Sequence, residues 1–112
     1  MKKPILAITM GDPASIGPEI TIKALVDRRI RRICRPLVIG DLGVLDRARQ
    51  IVGGVDVRLR GVNSPAEAAF DPDVTDVLDM RLADAESLPF GRVSAQAGEA
   101  AFRYVEKAIA LA

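Results

Sequence analysis

Pro4-Ile5-Leu6-Ala7-Ile8-Thr9-Met10-Gly11-Asp12-Pro13-Ala14-Ser15-Ile16-Gly17-Pro18-Glu19 decides the fold. Residues 4–10 are apolar except for Thr9, with β-branched side chains at Ile5, Ile8 and Thr9. A continuous run of this length suits a strand buried on both faces of a parallel sheet. Gly11-Asp12-Pro13 ends it as a turn. Gly17-Pro18-Glu19 then opens a helix. Proline is favoured at the first helical position because its missing N–H has no partner there in any case. Glu19 places a negative charge at the positive end of the helix dipole.

Working outward, Ile22, Leu25 and Val26 share one helical face, and the helix runs out into Arg28, Arg29, Arg31 and Arg32. Pro36 to Gly40 reads as a second buried strand. Asp41 is suited to cap the next helix, whose stripe is Leu45, Ala48 and Val52 and whose C-terminus is closed by Gly53-Gly54. Val55 to Leu59 alternates, as expected of a half-exposed strand nearer a sheet edge. Asn63-Ser64-Pro65 marks a turn, Val74 to Met80 a short strand, and residues 81–93 are polar and irregular. Ser94 caps a last helix whose large-residue stripe is Phe102, Val105 and Ile109, with Ala101 and Ala108 beside it, and Glu99 is placed to pair with Arg103. That helix carries no stop signal before Ala112, so its apolar face is expected to need a partner and the chain to be part of a longer one.

The order strand, helix, strand, helix, strands, helix belongs to an α/β fold: a mostly parallel sheet with helices on both faces. No linker or repeat divides residues 1–112, so they read as one part of a domain. Aromatics make up only 4% of residues, with no Trp, so the core is aliphatic. Net charge is +1, which gives no global attraction to nucleic acid or acidic lipid. The N-terminal apolar run is too short for a signal peptide, and no stretch has membrane-spanning length. A lone cysteine, Cys34, fits a reducing compartment, and the expected location is the cytoplasm. There is no histidine, so the commonest general base and the commonest metal ligand are both missing.

Chemistry is expected at the Gly11–Glu19 loop, because ligands of open α/β sheets bind beyond the carboxyl ends of the strands. Free N–H groups and the dipole of the following helix favour an anion there. The spacing matches neither G-x-G-x-x-G nor a Walker A loop, and a plain strand-to-helix turn is the competing reading. Asp41 could hold a ribose hydroxyl, with helix capping preferred. Ser94 could touch substrate or cofactor, with capping again preferred. The arginines at 28, 29, 31, 32 and 35 could meet phosphate or nucleic acid, but a solvated helix end is the preferred reading. Cys34 has no partner base and is assigned no catalysis.

Residues 8–20, Ile8-Thr9-Met10-Gly11-Asp12-Pro13-Ala14-Ser15-Ile16-Gly17-Pro18-Glu19-Ile20, closely resemble the opening signature of the 4-hydroxythreonine-4-phosphate dehydrogenase family. Gly91-Arg92-Val93-Ser94-Ala95-Gln96-Ala97-Gly98, continuing through Phe102, Tyr104, Glu106, Lys107 and Ala108, is similar to a second family stretch. The first motif also echoes a shorter loop of isocitrate and isopropylmalate dehydrogenases, which share the fold; Pro13-Ala14-Ser15 favours the first family. Ser15 stands where that family usually has Gly, and a positive φ there would strain it.

The resemblance implies an N-terminal part of an enzyme with an isocitrate/isopropylmalate dehydrogenase-like fold. Such an enzyme oxidises the alcohol of 4-phosphohydroxy-L-threonine with NAD (or NADP), and the product then loses carbon dioxide, in pyridoxal phosphate biosynthesis. A divalent metal (Zn, Mg or Co) acts as Lewis acid. It is held by histidines from both subunits of a homodimer, and these lie outside this chain, as do the catalytic residues. Gly11 and Asp12 are the candidate cofactor-binding residues, and Ser94 is the candidate for the small phosphorylated substrate. Family relatives act on other phosphosugar acids or dihydrodiol carboxylates. A reading of another class is a non-catalytic module that binds a nucleotide or phosphate. No nucleic-acid or membrane partner is expected.

Overall fold

The computed structural model describes residues 3–86 and 94–112. Four strands, β1 (Ile5–Thr9), β2 (Arg35–Gly40), β3 (Arg58–Val62) and β4 (Val74–Asp79), form one sheet in the order β1-β2-β4-β3. Every neighbouring pair is parallel. Parallel neighbours need crossover connections. Helices α1 (Gly17–Val26) and α2 (Arg28–Ile33) carry the chain from β1 to β2, and α3 (Leu42–Val52) carries it from β2 to β3. A 3-10 turn at Pro65–Glu67 lies on the return to β4, and α4 (Ala95–Leu111) follows.

Leu37, Val38 and Ile39 of β2 are all buried, although successive strand side chains point to opposite faces. Both faces of the sheet centre are therefore covered. Helices α1 and α3 pack on each other, and α4 lies against β1 and β2. Val44, Leu45 and Ala48 of α3 enter the core with Ile22 and Leu25 of α1, and Gly53 ends α3 at φ +65°. Among the described residues, no helix is long and apolar enough to cross a membrane.

Four local expectations are corrected. First, β1 is not buried on both faces: it is an edge strand with β2 as its one neighbour, and Ile5 and Leu6 are each about half exposed. An apolar run reports hydrophobicity and not the position of the strand in the sheet. Second, the half-exposed strand does lie at an edge, but it starts at Arg58 and not Val55. Its register is set by pairing with β4, from Arg58 opposite Val74 to Val62 opposite Leu78.

Third, α1 does not run into the arginines. It stops at Val26, which is exposed; Asp27 is extended, with ψ 110°, and its side chain accepts from the Arg29 N–H, starting α2 as a separate helix. Fourth, the buried face of α4 is Ala97, Ala100 and Tyr104, while Phe102, Val105 and Ile109 point outward. The small alanines let the helix approach the strands, and Tyr104 bonds inward to Asp41. Ser94 caps α4 as expected, accepting from the Ala97 N–H at 3.1 Å, and Arg103 pairs with Glu99 at 2.9 Å. Gly91, Arg92 and Val93 of the second family stretch lie outside the described residues.

Candidate functional site

The carboxyl ends of β1, β2 and β4 meet the start of α4. After β1, Gly11 takes φ +77°, a left-handed conformation that a side chain would strain. The loop then folds back so closely that a Cβ on Gly17 would sit 2.4 Å from the Met10 carbonyl oxygen. The second glycine thus serves contact between strand end and helix start. Asp12 braces the loop by accepting the Ala14 N–H at 2.8 Å, and its carbonyl accepts the Ser15 N–H at 3.1 Å. Ser15 is not among the residues of positive φ, so replacing the usual Gly brings no strain of that kind. Ile16 precedes α1 and offers no side-chain cap to the helix N-terminus, and the acid in the first turn is Glu19. Ala14 packs against Ala97, which brings Gly11 and Asp12 into one neighbourhood with Ser94.

Asp41 holds this neighbourhood together. It occupies the cap position of α3, but its carboxylate does not cap, which corrects the capping expectation. Instead, one oxygen accepts the Leu82 N–H at 2.7 Å and the other accepts the Tyr104 hydroxyl. Asp79, at the end of β4, takes over the capping role by accepting the Leu42 N–H at 3.2 Å. Burial pushes the Tyr104 hydroxyl pKa well above its ordinary value, and the bond to Asp41 and the charges of Asp41, Asp79 and Asp12 push it further. Tyr104 therefore remains a protonated donor. Asp41, Asp79, Arg81 and Gln96 help to line a cleft of about 370 Å³. Arg81 adopts φ +54° and donates to Asn63.

Asp79 and Arg81 were not singled out by sequence reasoning, and Gln96 and Tyr104 were named only as part of the second family stretch, with no site role. One signal existed for Asp79: like Asp41, it is an acid at the carboxyl end of an apolar strand. Tyr104 is the chain's single tyrosine and lies in the second family stretch, but its spacing alone did not point to a bond with Asp41.

Two other expectations resolve at the opposite rim. Cys34 is buried, with its thiol against the Ile30 carbonyl. The arginine group is not simply a solvated helix end. Arg28, Arg29 and Arg32 are exposed, but Arg31 reaches Thr75 and the Asp71 carbonyl, and Arg35 donates to the Lys3 carbonyl at 2.8 Å.

Among the described residues, no group of three or more His, Cys, Asp or Glu could hold a metal ion. The three carboxylates nearest Tyr104 each accept from backbone N–H groups. These residues do not fit a metal centre.

The family described as "Pyridoxal phosphate biosynthetic protein PdxA" matches residues 32–112. The chain belongs to this family. Among curated PdxA-like relatives, a D-threonate 4-phosphate dehydrogenase of Cupriavidus necator is 48% identical over 108 residues, which is 96% of this chain and 32% of that protein. A 4-hydroxythreonine-4-phosphate dehydrogenase of Trichlorobacter lovleyi is 42% identical over 110 residues, 97% of this chain and 32% of that one. The chain therefore spans about a third of the length of the curated relatives it matches. The solved structure of a 4-hydroxythreonine-4-phosphate dehydrogenase from Burkholderia phymatum superposes with a TM-score of 0.92 at 41% identity, covering 99% of this chain and 33% of that one. A terephthalate 1,2-cis-dihydrodiol dehydrogenase from Burkholderia xenovorans is more distant, with a TM-score of 0.68 at 30% identity, over 95% of this chain and 29% of that one.

Proposed function

We propose that this chain is an N-terminal part of an NAD-dependent dehydrogenase that oxidises the secondary alcohol of 4-phosphohydroxy-L-threonine, followed by decarboxylation, in pyridoxal phosphate biosynthesis. The observation that carries the reading is membership of the PdxA family, with a named 4-hydroxythreonine-4-phosphate dehydrogenase 42% identical along nearly the whole chain. The loop at Gly11 and Asp12 faces the cofactor side of the cleft. Its support is the uncapped N-terminus of α1 at a strand's carboxyl end, where the dipole favours a phosphate. Ser94 accepts a bond from Ala97, and its own hydroxyl hydrogen remains to be donated to a substrate oxygen. The chain contributes no histidine, so metal ligands and catalytic groups come from other parts of a cytoplasmic homodimer.

The test follows NADH formation by the protein in its natural full length, with 4-phosphohydroxy-L-threonine and added divalent metal. Turnover supports the reading, and its absence with every metal tried overturns it. A second reading, D-threonate 4-phosphate as substrate, is favoured by the 48% identity to an enzyme of that name. Offering both substrates decides between them by kcat/KM. Asp12→Ala is expected to raise KM for NAD or lower kcat, and unchanged kinetics would remove Asp12 from the site. Tight NAD binding by residues 1–112 alone would favour the non-catalytic module instead, since an incomplete cleft binds poorly.

A further inference from the structure

At the amino ends of the same strands, Lys3, Arg28, Arg31, Arg32 and Arg35 line a cleft of about 480 Å³, and among the described residues Asp73 is the one acid that lines it. This excess sits in a chain of net charge +1. Among the described residues, no ion pair neutralises Arg28, Arg31, Arg32 or Arg35. Asp27, whose carboxyl senses the charge of Arg32, is already paired with Arg29 at 2.7 Å.

Two of the guanidinium groups are held in place by neutral partners. Arg31 donates to Thr75 and to the Asp71 carbonyl. Arg35 donates to the Lys3 carbonyl and lies 5.2 Å over the centre of the Phe70 ring. Phe70 is itself set by a buried anion. The Asp76 carboxylate, fully buried, accepts the Phe70 N–H at 2.9 Å and is paired with Arg60 at 2.6 Å. Phe70 is thereby held at φ +53°, a conformation that is an outlier for a bulky residue. Such outliers persist where the surroundings over-determine them, and they cluster at ligand clamps and other functional places. The cations are thus pre-positioned with their charge uncompensated.

We propose that this rim binds a small phosphorylated anion carrying two or more negative charges. Guanidinium forks match phosphate oxygens in pairs, and holding them in advance lowers the ordering cost of binding. The cations surround one cleft rather than forming an extended stripe, and Asp73 at its margin disfavours a long polyanion. A compact ligand fits that arrangement better than nucleic acid does. The inference does not depend on the proposed oxidation, which belongs to the other end of the strands.

The experiment titrates the protein in its natural full length with inorganic pyrophosphate, by calorimetry at low and at higher salt. Saturable binding that weakens with salt is expected. Arg32→Gln and Arg35→Gln should each weaken it about tenfold, the loss of a charge-assisted contact. Asp76→Asn should also weaken it, although that change removes a negative charge; a purely electrostatic patch would bind more tightly instead. Thermal melts of Arg32→Gln, an exposed position, establish that the fold is kept. No saturable binding overturns the proposal. So does binding untouched by Arg32→Gln and Arg35→Gln, which places pyrophosphate in the substrate cleft. Salt-dependent retention on DNA without pyrophosphate binding overturns it in favour of a nucleic-acid partner.

Discussion

Removing the Tyr104 hydroxyl leaves one buried oxygen of Asp41 without its donor. Tyr104→Phe is expected to cost about 1–3 kcal/mol, read as a shift of the denaturation midpoint. An unchanged midpoint would mean that the oxygen finds another partner. The raised Tyr104 pKa also sets a pH dependence. The folded state holds the phenolic proton more tightly than the unfolded chain does, so stability is full below the ordinary tyrosine value of about 10 and falls as pH rises beyond it. As the chain has one tyrosine, the rise of tyrosinate absorbance should coincide with alkaline unfolding. Titration of a still-folded protein near the ordinary value would contradict this. At Gly17, a methyl group would strike the Met10 carbonyl, so Gly17→Ala should destabilise by about 1–3 kcal/mol, the usual range for overpacking. Its effect is measurable in the same denaturation assay, and a neutral result would mean that the loop opens freely.

At the scale of elements, Asp27 decides that two helices form where periodicity suggested one. Its side chain caps α2, and the Arg29 guanidinium, followed by the Arg29 N–H, draws its pKa from 3.8 down to about 2. A depressed acid contributes stability above its unfolded pKa and loses it as pH falls through the folded one. The α2 segment should therefore loosen between about pH 4 and pH 2, seen as faster amide exchange at residues 28–33. Asp27→Asn, which keeps an acceptor, should retain the cap and lose this pH dependence. The strands and helices themselves were largely legible: α3, α4, β2 and β4 form within a residue or two of the expected bounds, because their apolar periodicity and end signals are local. The helical face of α4 was not legible, because side-chain size suggested Phe102, Val105 and Ile109, whereas close packing selected Ala97 and Ala100 beside Tyr104.

At the scale of the whole molecule, apolar surface remains uncovered on α4, where Phe102 is 61% and Ile109 71% exposed, and along β1. Residues 1–112 expressed alone are expected to associate, and sedimentation should show it. Phe102→Ser with Ile109→Ser should reduce that association with little loss of stability; association that persists would shift attention to the open β1 edge. Apolar periodicity, Pro and Gly placement and the Gly11–Glu19 motif determined by themselves the α/β class, the parallel strands, the helix order and the family resemblance. Each of these rests on neighbours a few residues apart. Only the tertiary structure decided that β1 is an edge, that β4 enters between β2 and β3, and that Asp41 serves Leu82 and Tyr104 while Asp79 caps α3. The three carboxylate bonds join groups 37 to 63 residues apart, and a carboxylate takes whichever donors the packed chain brings to it.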